Sequence, residues 1–304
     1  MNKQEIVKEI ERLKKEKNAV ILAHNYQREE IQKIADILGD SLDLSRKAQN
    51  IDADIIVFAG VRFMAETAKI LSPEKKVLIP HPDATCEMAD MVTADDVVRL
   101  KEEYPDAKTV CYVNTYADVK AVCDICCTSR NAVNVVKSLD TTRIIFIPDR
   151  NLGRYVKEQV PEKEVILYDG YCYVHDELIT LNDVLLAKEA HPDAVVLTHP
   201  EARKEVLEVS DYVASTNGMV KIAGMSEKKE FIIATEVDMT KRLKKEFPDK
   251  EFYPASKNAI CRGMKTITLE SIYMSLKEEQ YEITLPEDII QRAKDAILKM
   301  IEIS

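Results

Sequence analysis

Short apolar runs of two to five residues alternate along the chain with longer stretches in which apolar positions recur every three or four residues. The first kind reads as strands and the second as helices. Val20–Ala23, Ile55–Ala59 and Val77–Ile79 alternate with helical stretches over Ile31–Leu38, on to Asn50, and over Phe63–Leu71. The same order returns with strands at Val110–Val113, Ile144–Ile147 and Val165–Leu167, and helices at Asn131–Leu139 and Leu152–Gln159. It returns once more with Ala194–Thr198, Phe231–Ala234 and Phe252-Tyr253 as strands, and Arg203–Val209 and Met239–Phe247 as helices. Strands alternating with helices of this length predict parallel sheets with helices on both faces.

The repeat extends to polar positions. Cys86, Cys172 and Cys261 each follow the last strand of a unit, at intervals of 86 and 89 residues. His24, Asn114 and His199 follow the first strand of each unit, and lie 62, 58 and 62 residues before the matching cysteine. Ser41, Ser129 and Ser215 follow those same starts by 17, 15 and 16 residues. Three features kept in register across three copies indicate one unit written three times. The predicted fold is α/β: three homologous three-layer αβα domains with parallel sheets, related by pseudo-threefold symmetry around a central site. Their expected bounds are 1–104, 105–190 and 191–285. A helix over 286–304, opened by Pro286, packs back on the body beside the amphipathic N-terminal helix, which buries Ile6, Val7, Ile10 and Leu13.

Composition narrows the function. A net charge of −10 argues against wholesale nucleic-acid binding, though a pocket for an anion depends only on local groups. No apolar window approaches the roughly 18 residues of a membrane span, and the charged N-terminus lacks a signal peptide's apolar centre. A cytoplasmic chain is expected, in which the seven cysteines are thiols or metal ligands rather than disulfides.

Parallel sheets collect function at the carboxyl ends of their strands, where the histidine, asparagine and cysteine loops all lie. If the three units face one another, Cys86, Cys172 and Cys261 meet. A structural zinc site closes four ligands, whereas a [4Fe–4S] cluster on three cysteines leaves one iron open as a Lewis acid. Cys111 sits inside a strand run and reads as packing. Cys123-Asp124-Ile125-Cys126-Cys127 has no second pair to close a metal site, falls on the helix expected before Ser129, and also reads as packing. Ser41, Ser129 and Ser215-Thr216 read as helix N-caps, which as a symmetric set suit a substrate with several carboxylate or phosphate groups. His24, Tyr26, Tyr112, Asn114, His199 and Glu201 are the expected lining, with His and Glu supplying acid–base capacity. His175 is placed near Cys172 as a group tuning a bound cluster. Lys265 either neutralises site charge or is solvated.

The segments Ala23-His24-Asn25-Tyr26-Gln27, Gly39-Asp40-Ser41, Ala84-Thr85-Cys86, Tyr112-Val113-Asn114, Cys127-Thr128-Ser129-Arg130-Asn131-Ala132, Pro148-Asp149-Arg150-Asn151-Leu152-Gly153, His199-Pro200-Glu201, Ser215-Thr216 and Cys261 with Met264-Lys265 together resemble the quinolinate synthase family. The resemblance spans residues 23 to 265. It implies a [4Fe–4S] cluster on Cys86, Cys172 and Cys261, and condensation of iminoaspartate with dihydroxyacetone phosphate to quinolinate in NAD biosynthesis. It further implies Tyr112, Glu201, His24 and His199 as catalytic residues. Substrate contacts carry over onto His24, Ser41, Tyr112, Val113, Asn114, Ser129, His199, Pro200, Glu201 and Thr216. Partners are then the two small substrates, with transient contact to the enzyme supplying iminoaspartate. Some longer members carry additional cysteines around the last ligand, able to form a regulatory disulfide. Here Cys261 is followed by Arg262-Gly263-Met264. The alternatives left by the residues themselves are another cluster-dependent hydro-lyase on a small hydroxy-acid, a non-catalytic iron or oxygen sensor, and a structural zinc protein.

Overall fold

The computed structural model describes residues 1–303, and it contains three four-stranded sheets, every strand pair within them parallel. The first is built from β1 (Ala19–His24), β2 (Ile37–Gly39), β3 (Ile55–Ala59) and β4 (Lys76–Leu78), in the order β2-β1-β3-β4. The second repeats that order with β5 (Lys108–Tyr112), β6 (Ile125–Cys127), β7 (Arg143–Ile147) and β8 (Glu164–Leu167). The third does so with β9 (Val195–Thr198), β10 (Tyr212–Val213), β11 (Glu230–Ala234) and β12 (Glu251–Pro254). Helices flank each sheet, so the α/β expectation and its three αβα units hold.

The central strands β3 and β5 read as near-continuous apolar runs because both faces are covered; β3 is buried throughout and β5 after its first residue. In each sheet the chain leaves the first strand toward one edge and the third strand toward the other. The switch point therefore falls between β1 and β3, β5 and β7, and β9 and β11, where an open α/β sheet forms its crevice.

Each sheet has one strand more than the hydrophobic pattern shows. β2, β6 and β10, edge strands of two or three residues, are the ones it does not show. The helix expected over Ile31–Leu38 instead spans Glu29–Ile34, and the one expected to carry Cys126 and Cys127 ends at Lys120. The cause recurs in all three units. The carboxylates of Asp36, Asp124 and Asp211 accept the backbone N–H of Ile21, Thr109 and Val196, each fifteen residues earlier, at 2.7, 2.9 and 2.8 Å. Each aspartate ties the chain to the central strand and starts the edge strand one residue later.

After every cysteine loop a helix opens with a capping box or its equivalent: Thr93 with Asp96, Thr180 with Asp183, and Thr268 with Ser271. The helix Leu181–Ala190 packs on β11 of the following sheet, and Leu269–Glu278 returns to the N-terminal helix Lys3–Glu16 and to β3. The last helix, Glu287–Glu302, does not lie beside the N-terminal helix as its main partner. It packs chiefly on β6, on the helix Ala117–Lys120 and on Arg62–Leu71, and Asn131 Nδ2 donates to the carbonyls of Met300 and Ile303 at its end. These returns tie first and last segments into one apolar core that runs through the first two sheets.

Glu279 locks one such return. It adopts φ 51° just past the helix Leu269–Glu278, and its carboxylate meets Lys17 at 2.6 Å and Lys76. Those hydrogen bonds hold its pKa down to about 2, against an ordinary 4.5. Because the folded-state value is depressed, the stabilisation is complete above the ordinary carboxylate range and is lost as pH falls toward 2. Solvent screening limits it to about 1 kcal/mol. Glu279→Gln should therefore lower the unfolding free energy in urea at pH 7 by about that amount, and the two proteins should converge near pH 2. A difference that does not shrink on acidification would contradict this assignment.

Candidate active site

The carboxyl ends of the three sheets enclose one cavity with about 680 Å³ of atom-free space including its mouth. Cys86, Cys172 and Cys261 all line it. Each cysteine heads a helical turn. The Cys86 carbonyl accepts from Asp90 N–H, the Cys172 carbonyl from His175 and Asp176, and the Cys261 carbonyl from Lys265. The start of each turn aims backbone N–H groups at sulfur: Met88 and Ala89 at Cys86, His175 at Cys172, and Met264 at Cys261. Burial raises all three thiol pKa values, that of Cys261 to about 11. Beyond burial, Cys172 is pushed up by Glu201, Cys86 and Cys261, and Cys86 by Cys261, so the sulfurs lie close enough to repel as thiolates.

The residues one past each cysteine interlock. The Arg262 guanidinium grips the Glu87 carboxylate at 2.8 and 3.0 Å, and its plane stacks 4.6 Å from the Tyr173 ring centroid. The Tyr173 hydroxyl accepts from Arg262 N–H at 2.6 Å and donates to the Ile260 carbonyl at 3.1 Å. One ion pair and one stacked tyrosine thus join all three loops. Gly263 permits this approach, since a Cβ there would stand 2.0 Å from the Thr85 carbonyl oxygen.

Beneath the cysteines a hydrogen-bonded chain crosses from sheet to sheet. The Tyr26 hydroxyl meets Thr235 Oγ1 at 2.5 Å, and Thr235 Oγ1 meets His175 Nε2 at 2.7 Å. His175 Nδ1 lies 2.8 Å from Glu201 Oε2, whose other oxygen accepts from the Tyr112 hydroxyl. The same His175 nitrogen is 3.2 Å from Cys172 Sγ, and donor atoms of Cys172, His175 and Glu201 lie within 4.8 Å of one another, close enough to hold a metal ion. Burial opposes charge on Glu201, but the imidazoles of His199 and His175 and the Tyr112 hydroxyl outweigh it and hold the carboxyl below its ordinary value. Burial, reinforced by Glu201, raises the Tyr112 hydroxyl, so Tyr112 keeps its proton. His24 and His199 are pushed down to about 3, in each case chiefly by burial, and are neutral imidazoles near pH 7.

His24, Ser41, Tyr112, Asn114, Ser129, His199, Glu201 and Thr216 line the cavity. Val113 and Pro200 are buried but are not among its lining; Val113 faces a smaller apolar cavity with Leu44 and Phe58. The serines are mostly not caps. Asp40 and Asn131 take the cap positions of two of the helices, which leaves Ser41 at the first helical residue and Ser129 in the preceding turn. Ser215 alone caps, at 3.2 Å from Gly218 N–H, and puts Thr216 at the cavity wall. Ser129 Oγ meets His199 Nε2 at 3.1 Å. His199 Nδ1 and Asn114 Oδ1 are buried without a hydrogen-bond partner among the described residues.

Lys265 neither faces solvent nor lines the cavity. Its ammonium is paired with Glu236 at 2.8 Å and Asp238 at 2.6 Å. Sequence reasoning missed Thr235 altogether, although it follows the third strand of its unit as Gly60 and Pro148 do in theirs. It also missed the apolar wall of Val61, Phe63, Met64, Met88, Val174 and Met264. Met88 and Val174 stand two residues past their cysteines, a spacing that could have flagged them.

Comparison with known proteins agrees with this architecture. A family model described as "Quinolinate synthetase A protein" matches residues 8–302. The chain is 55% identical over 295 residues to a protein named quinolinate synthase from Thermodesulfovibrio yellowstonii, covering 97% of each. It is 52% identical over 304 residues to one from Caldicellulosiruptor saccharolyticus, covering both fully, and 52% identical to one from Aquifex aeolicus, covering 99% of this chain and 94% of that one.

The contact between Gly263 and Thr85 gives a direct check on loop convergence. Gly263→Ala should lower stability in urea unfolding by about 1–3 kcal/mol, as overpacking against rigid backbone does. An unchanged midpoint would mean the Cys261 and Cys86 loops do not touch. The match over nearly the whole chain and the level of identity place this protein in the quinolinate synthase A family of enzymes.

Proposed function

We propose that the chain condenses iminoaspartate with dihydroxyacetone phosphate to quinolinate, releasing phosphate and two waters, in the cytoplasmic synthesis of NAD. The observation carrying this reading is that three cysteines from three sheets face one cavity beside the Tyr112–Glu201 pair. The near-equivalence of the three units around that cavity supports the pseudo-threefold relation.

The donor set fits a [4Fe–4S] cluster. It offers three thiols with mutually repelling thiolates, amide donors to each sulfur, and no fourth cysteine in the lining. Cys86, Cys172 and Cys261 would hold it. When bound, the cluster supplies an iron with an open coordination position, a Lewis acid that eases the departure of hydroxide from carbon.

The chain's own residues do the rest. Among the described residues no lysine or arginine lines the cavity, so the carboxylates and phosphate are met by neutral donors: the hydroxyls of Ser41, Ser129 and Thr216 and the helix starts at Ser41 and Thr216. The unpartnered His199 Nδ1 and Asn114 Oδ1 are free to fix substrate polar groups. His24 and His199, being neutral, orient rather than carry charge. Tyr112 holds a proton for delivery to a leaving oxygen. Glu201 restores it, drawing on His175, Thr235 and Tyr26 along the hydrogen-bonded chain.

Cys172→Ala should remove both the brown chromophore of anaerobically prepared protein and formation of pyridine-2,3-dicarboxylate from the two substrates. Tyr112→Phe should keep the chromophore and lower kcat about 10²- to 10⁴-fold. Full turnover by the Cys172 variant would take the cluster out of the reaction. A chromophore with no pyridine product would instead favour the hydro-lyase reading.

A further inference from the structure

Cys172 differs from the other two cysteines of the cavity in what stands three residues on. Cys86 is followed at that spacing by Ala89 and Cys261 by Met264, whereas Cys172 is followed by His175. Three equivalent sulfurs around a threefold centre give no reason for that break. The turn Tyr173–Asp176 carries the pair, and its His175 N–H donates to the Cys172 carbonyl at 3.1 Å, so thiol and imidazole are held on one short element. His175 Nδ1 lies 3.2 Å from Cys172 Sγ and 2.8 Å from Glu201 Oε2, which arrives from the loop after β9. The three donor atoms all lie within 4.8 Å of one another. Donors around a tetrahedral zinc stand about 3.3–3.6 Å apart, so widening the two short separations by about half an ångström makes room for an ion.

Each ligand is also oriented from behind. The far nitrogen of His175, Nε2, meets Thr235 Oγ1 at 2.7 Å, and the far oxygen of Glu201 accepts from the Tyr112 hydroxyl. His199 stacks on His175 with ring centroids 4.7 Å apart. Its Nε2 is taken by Ser129 Oγ at 3.1 Å. Its Nδ1, buried and without a hydrogen-bond partner among the described residues, is 3.9 Å from the same Glu201 Oε2 and supplies a fourth donor. Charge points the same way. Among the described residues no lysine or arginine lines the cavity to face the Glu201 carboxylate. A dication with one thiolate and one carboxylate sums to zero, the condition under which buried charge is tolerated. Sulfur and imidazole beside a single carboxylate select zinc and its neighbours over magnesium or calcium, which take oxygen ligands.

We propose that the chain without its cluster binds one zinc-class dication on Cys172 Sγ, His175 Nδ1 and Glu201 Oε2, with His199 Nδ1 as fourth ligand, and that this ion bars the cluster by occupying Cys172. Binding breaks only the S–H bond: the thiol proton goes to solvent, the sulfur lone pair goes to the metal, and no oxidation state changes. His175 binds through Nδ1 with its proton on Nε2, donating to Thr235 Oγ1. The ion site stands on its own geometry, whereas the exclusion rests on the reading that Cys172 is a cluster ligand. A zinc-loaded chain is then an inactive form that must release its ion before Cys172 is available.

Cobalt(II) is the probe, added without oxygen to two full-length chains. One is the unaltered chain stripped of iron with a chelator; the other is Cys86→Ser/Cys261→Ser, which keeps only the Cys172 sulfur of the three. Both should bind one cobalt, with the intense visible bands of tetrahedral coordination and a near-ultraviolet band from one thiolate, and one equivalent of zinc should erase them. The single variants Cys86→Ser and Cys261→Ser should do the same, which covers a double variant that does not fold. His175→Ala and Glu201→Gln should each weaken cobalt binding at least about 100-fold, while Thr235→Val, which removes only an outer partner, should cost roughly 10–100-fold. Failure of every chain to bind cobalt, or unchanged affinity in His175→Ala, would overturn the site. A thiolate band about three times as strong in the unaltered chain as in the double variant would give the ion to the three cysteines and equally overturn it. One equivalent of zinc should also block uptake of iron and sulfide by the stripped chain, and a chelator should restore it. Full uptake with zinc still bound would overturn the exclusion. Cobalt bound as described by a chain that takes up no iron or sulfide under any condition would uphold the ion site and sink the cluster reading.

Discussion

Arg262 holds Glu87 and Tyr173 at once, and around that contact the rest of the molecule is arranged. Those three residues belong to three sheets, and each directly follows a cysteine. Three thiols pressed together repel once ionised, and burial alone would keep them protonated. The clasp and the close approach at Gly263 hold the loops in place regardless. Amide groups at the head of each helical turn then offset part of the cost of charge on sulfur.

The polar chain below depends on the same meeting. Tyr26 comes from the first sheet, Tyr112 and His175 from the second, and Thr235 and Glu201 from the third. No single unit could assemble it. The cyclic return of helices, with Leu181–Ala190 on the third sheet and Leu269–Glu278 on the first, fixes the sheets relative to one another. Errors of an ångström between sheets would break the hydrogen bonds from His175 to Thr235 and Glu201. Stability and chemistry are in this sense one requirement.

Much of this was legible along the chain because long apolar runs and spaced cysteines survive in one dimension. Nine of the strands, the alternation and the three-fold register of His24, Asn114 and His199 all came from it. The edge strands β2, β6 and β10 did not; their real signal was the aspartate at Asp36, Asp124 and Asp211. The serines misled because a side-chain oxygen before a helix reads as a cap, whereas Asp40 and Asn131 occupy those positions. Lys265 was legible in part, since its charge does act on the Cys261 thiol. The partners that keep it out of solvent, Glu236 and Asp238, are distant in sequence and near only in the fold. Thr235 carried no signal of its own, being one hydroxyl whose two partners come from other sheets.

The central claim is that Cys86, Cys172 and Cys261 share one inorganic core. Quantifying iron and acid-labile sulfide in anaerobically purified protein tests it most directly. The account predicts about four of each per chain. Zinc in place of iron, or iron without sulfide, would contradict it.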